Sequence, residues 1–89
     1  MADLEIPIEL AQLQARVNAA FDAVAEHHRS VGVPVLEWPE EEMVRSAELM
    51  AAATAAADEL RAAVEASGLV AEHGSYEFQA ALMRASRAV

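Results

Sequence analysis

VGVPVLEWPEEE, residues 31–42, divides the chain into two parts that each read as helix. Gly32 and Pro34 break the helix that precedes them. Pro39 suits the first turn of the next one, where its missing N–H costs nothing. Glu40, Glu41 and Glu42 then fall where unpaired N–H groups and the helix dipole favour negative charge. Val31, Val33 and Val35 alternate as in a strand, with Leu36 and Trp38 after them. No other segment offers a partner strand, and an isolated strand is not stable. The segment 31–38 is therefore expected to be an extended connector between two helices.

Working outward, Leu10, Leu13, Val17, Phe21, Val24 and His28 recur at steps of three and four. This stripe predicts a first helix over about 7–30. Met43, Ala47, Met50, Thr54, Ala57, Leu60 (or Arg61 in strict register) and Val64 form the stripe of a second, over about 39–67. Thr54 in that stripe is expected to be a core residue satisfied by a carbonyl one turn back. Glu41 and Arg45 have the spacing of an i,i+4 ion pair. Gly68 is placed as a left-handed cap, with Leu69 folding back on the last turn. A loop, VAEHG, leads to a third helix over about 75–88. Tyr76, Phe78, Leu82, Met83 and Val89 are its apolar positions, and Arg84 and Arg87 lie near its end, where cations suit the dipole. The expected fold is all-α: one domain over 1–89, a long antiparallel helical hairpin plus a shorter third helix forming a three-helix bundle.

Composition adds a constraint. The chain has 89 residues and is 55% hydrophobic, yet it holds only two Phe, one Tyr and one Trp. Much of the remainder is alanine, which favours helix but buries little area. So few large side chains make a thin core, and dimerisation through helices one and two is expected to complete it. Fifteen acids oppose six bases, all arginine, for a formal charge of −9. That balance argues against nucleic acid and against anionic membrane. The acidic start MADLEIPIEL has no basic region and does not read as a signal peptide. With no cysteine and no apolar run of membrane length, a cytoplasmic location is the default expectation.

The candidate chemical groups do not assemble into a site. His27 and His28 are adjacent and point about 100° apart on a helix, and with Glu26, Glu72 and His73 they show no metal-ligand spacing. The glutamates at 40–42 splay over about 200° of arc. The serines show no nucleophile pattern. No catalytic residue, cofactor or metal is expected, and no small-molecule substrate is evident. Trp38 has two readings. It is a staple closing the hairpin end by packing on helix two, or an exposed anchor for a partner. The staple is preferred, because a small core can hardly spare its largest side chain.

Two resemblances bear on function. A tryptophan between two long helices, the size, the acidity and the lack of cysteine resemble the WXG family of secreted helical hairpins. Glu40 stands where that family has glycine, and Ala80 stands where its export signal has an acid. LQARVNAAFD, residues 13–22, is similar to the helix-one pattern L-R-x-x-I-D-x-x-D of the all-helical chorismate mutases. GVPVLEWPEEE, residues 32–42, is similar to the segment leading into their second helix. Gln14 stands at their first substrate-binding arginine, and Glu40 to Glu42 replace an arginine-containing helix start. A dianionic substrate needs convergent cations. The residues themselves support a non-enzymatic helical interaction module, an adaptor, regulator or assembly subunit whose partner is a second copy or another protein. The candidate partner-binding residues are Trp38, Leu36, Glu40, Glu41, Met43, Met50, Arg84 and Arg87. A divergent or inactive mutase-like protein and a WXG-like secreted hairpin are the alternatives.

Overall fold

A computed structural model describes residues 4–89. Residues 1–3, which include the first acid of the leader, lie outside the described residues. The chain is all-α, with no strand among the described residues. Helix α1 spans Ile8–Val31 and α2 spans Glu40–Ser67. A five-residue helix, α3 (Leu69–His73), leads into α4 (Ser75–Ser86). The first two helices run antiparallel as a hairpin, with Arg16 opposite Glu59 near one end and His27 opposite Glu42 at the other.

Each helix boundary follows from local chemistry. Pro7 and Pro39 sit at the N-caps of α1 and α2, one residue outside the first turn. Gly32 and Gly68 close the two helices in the left-handed conformation, at φ 72° and 70°, which a residue without Cβ reaches at little cost. Two expectations are corrected here. The connector is not extended throughout: Pro34 starts a single 3₁₀ turn, Val35–Glu37, whose Glu37 N–H donates to the Pro34 carbonyl at 2.8 Å. The segment after Gly68 is not a loop: Leu69 and Val70 begin a short helix that turns both onto the core. The last helix also ends two residues early, with 87–88 as a turn.

The core gathers at one end. Leu10 of α1 meets Phe78 and Leu82 of α4, with Ile6, Leu13, Leu60, Val64, Leu69 and Val70 packed around them. Phe78 and Leu82 are fully buried. A polar chain fixes α4 beside α1. The half-buried Asn18 accepts from buried Gln14 at 2.9 Å and donates to buried Ser86 at 3.4 Å, and Ser86 in turn donates to the Met83 carbonyl. Buried amides and hydroxyls are costly without partners, so this chain holds α4 to one register.

The stripe expected for α2 is rotated. Met43, Ala47, Met50 and Thr54 are exposed, and the inward face of that half is Glu42, Ser46, Leu49 and Ala53. Ala53 is wholly buried. Small residues let the helices come close enough that their larger neighbours are left outside the contact. Thr54 is thus a surface residue. Arg45 pairs with Glu48 at 3.7 Å and not with Glu41. Tyr76 is 87% exposed, and Phe78 and Leu82 alone carry the inward face of α4 in bulk.

This distribution predicts a sharp contrast in urea unfolding. Leu82→Ala should lower the unfolding free energy by roughly 2–5 kcal/mol. Tyr76→Ala should change it by less than about 0.5 kcal/mol. Equal losses would contradict the packing of α4.

Candidate partner-docking surface

The tip of the hairpin is built around Trp38. Gly32 turns the chain, and the 3₁₀ turn brings the indole back across the end of α1. The indole N–H donates to the Val33 carbonyl at 2.8 Å. Its ring meets His27 and His28 edge to face, at centroid distances of 5.4 and 4.9 Å, an arrangement that aromatic quadrupoles favour. His27 Nε2 lies 3.2 Å from the Glu42 carbonyl oxygen and 3.4 Å from its carboxylate. Trp38 is 8% exposed. It is therefore a staple and not an exposed anchor. The ring it rests on belongs to α1, where α2 had been expected, because adjacent histidines straddle the indole.

The other candidate residues do reach solvent. Leu36 is completely exposed, and Met43 and Met50 are 53% and 43% exposed. Glu40, Glu41, Arg84 and Arg87 are exposed as well. Among the described residues, none of these four charges has an ion-pair partner, whereas Arg16, Arg29, Arg45 and Arg61 are each paired with an acid.

The structure brings several of them onto one face. α4 lies along α1 as far as Asn18, the level of Ser86, and α2 reaches the same core through Leu60, Ala63 and Val64. Thirteen residues of α1 continue beyond Asn18, about 20 Å of helix. Phe21 lies in helical phase between Leu10 and Gln14, the positions that face α4, and it is 44% exposed. On α2, Met50 and Met43 lie within about 60° in phase of Val64, which packs on the α4 core. The pairs Arg16–Glu59 and His27–Glu42 bracket this part of the hairpin and put Met50 at about the level of Phe21. The track under α4 thus continues uncovered past the end of α4, lined by Phe21, Met50 and Met43. It runs to a tip that exposes Val33, Val35 and Leu36. Phe21 was missed as a surface candidate because its place in the α1 stripe is correct; only the length of α4 leaves it open.

Trp38 emission tests the tip. The maximum should be well to the blue of free tryptophan, and Trp38→Ala should cost about 3–5 kcal/mol of stability. An emission maximum at the free-tryptophan position would contradict the staple. No group of three or more His, Asp or Glu side chains suited to a metal ion occurs among the described residues. No helix among them is long and apolar enough to cross a membrane. Comparison with protein-family models, curated proteins and solved structures finds no match, so the functional reading rests on this surface alone.

Proposed function

We propose that the protein is a non-enzymatic helical interaction module that self-associates through the open stretch of helices α1 and α2. The observation that carries this reading is the uncovered Phe21–Met50–Met43 track beside a core confined to the opposite end. Surface area supports it. The accessible surface is 6167 Å², roughly 1,100 Å² above the value of about 5,050 Å² typical of a monomer of this mass. The radius of gyration is 16.3 Å, against about 12 Å for a compact domain of this length. A standard interface takes about 800 Å² from each partner, so the excess is on the scale of one such contact.

Two of the surface notches favour this reading over an anion-binding enzyme. One of about 450 Å³ is lined by Glu9, Gln12, Leu13, Arg16 and Glu59. Its one cation, Arg16, is already held 2.7 Å from the Glu59 carboxylate. The notch beside the tip, of about 490 Å³, is lined by Glu37 and Glu42 with no arginine. A dianionic substrate would meet more negative than positive charge in both.

Sedimentation equilibrium from micromolar to millimolar concentration tests self-association. The wild-type mass should rise to that of two chains, and Phe21→Glu should keep it at one chain while leaving the helical circular dichroism intact. A wild-type monomer across the whole range would overturn the reading.

A further inference from the structure

Resting on that self-association, we propose that the second copy lies antiparallel on the open stretch, related by a two-fold axis. The hairpin tip of each copy then abuts the C-terminal end of α4 of the other. Three observations point to this arrangement. The first is length. The open stretch is about 20 Å long, bounded by the end of α4 on one side and the tip on the other, so a second identical stretch fills it only when reversed. A closed two-fold contact is also self-complementary by construction.

The second observation is the apolar pattern. Reversal places Phe21 and Met50, next to the end of α4, beneath the partner's Val33, Val35 and Leu36. All five are at least 43% exposed in the single chain, and Leu36 is completely so. A leucine wholly in water at a loop apex gains the full transfer energy on docking.

The third is charge. Arg84 and Arg87 stand at the end of α4, and Glu37, Glu40 and Glu41 stand at the tip. No ion pair engages any of these five among the described residues. In a single chain the two groups sit at different levels along the hairpin. In the antiparallel pair each tip brings its glutamates to the partner's two arginines, twice over by symmetry. Two copies of charge −9 repel at long range, but at physiological salt the screening length is about 8 Å. The local pairs therefore decide the register of docking, which is the usual role of interfacial charge.

A charge-swap experiment tests the arrangement. One variant carries Glu40→Arg and Glu41→Arg; the other carries Arg84→Glu and Arg87→Glu. Each alone faces like charge at both junctions, and its dimerisation should weaken roughly tenfold or more. An equimolar mixture restores opposite charge at both junctions, and sedimentation should show heterodimers at wild-type affinity. Circular dichroism and thermal unfolding of each variant confirm that it folds. If both variants dimerise as the wild type does, the antiparallel docking is overturned while self-association stands. If both weaken but the mixture does not recover, the arrangement is likewise overturned, because the charges then act elsewhere. If the wild type itself is monomeric, the self-association reading falls and the arrangement with it.

Discussion

Phe78 and Leu82 reach across to Leu10, and among the described residues this contact is the one cluster of large buried apolar side chains from different helices. Among the described residues, eight apolar side chains are buried, and three of those are alanine. The chain does not repeat such a contact toward the tip, where Phe21, Met43 and Met50 stay exposed. The two helices of the hairpin are 24 and 28 residues long, whereas α4 has 12. One end of the hairpin therefore has three layers of side chains, and the other has two helices that meet through smaller or polar residues such as Ser46, Ala53 and Glu42.

The far end stays a hairpin for a different physical reason. Trp38 replaces the missing core with a polar-edged cluster. Its indole N–H is satisfied by Val33, its faces and edges by two imidazoles, and one imidazole is tied to Glu42 at the start of α2. Helix α1 is thereby joined to α2 through side chains at the tip. Large burial is replaced by hydrogen bonds and ring contacts, each worth about 1 kcal/mol. Glu42 belongs to the acidic run, yet it faces inward as a half-buried residue, while Glu40 and Glu41 face water. One sequence feature thus serves two purposes set by helical phase.

Most of the fold was legible in the sequence, because glycine and proline act locally. Gly32, Pro34, Pro39 and Gly68 mark the ends of α1 and α2 to within a residue. The reading failed where alanine left phase undetermined. In α2, Met43, Met50 and Thr54 look like an inward stripe only because large residues are assumed to point inward. The helices approach through Ala53 and Leu49, and the methionines are displaced to the side. Short-range order after Gly68 was missed for a related reason: five residues carry too little periodicity to declare a helix, and α3 exists because Leu69 and Val70 dock on the core. Of the candidate surface, the exposed charges and Leu36 could be named from sequence. Phe21 could not, because its exposure depends on where α4 stops.

These features bear on how association would be stabilised. Binding costs translational freedom and the ordering of whatever is flexible at the interface. Here both sides of the open track are helical before contact, and the tip that would dock is fixed by a buried tryptophan. Little backbone ordering remains to be lost. Methionine at positions 43 and 50 adds side chains that adapt to an opposing surface, at the expense of their own rotamer freedom. Phe21, with two side-chain torsions, loses less and buries more. The proposed contact would therefore draw its free energy chiefly from Phe21 and the tip leucine. The methionines would fill space around them, and the arginines at the end of α4 would select the orientation.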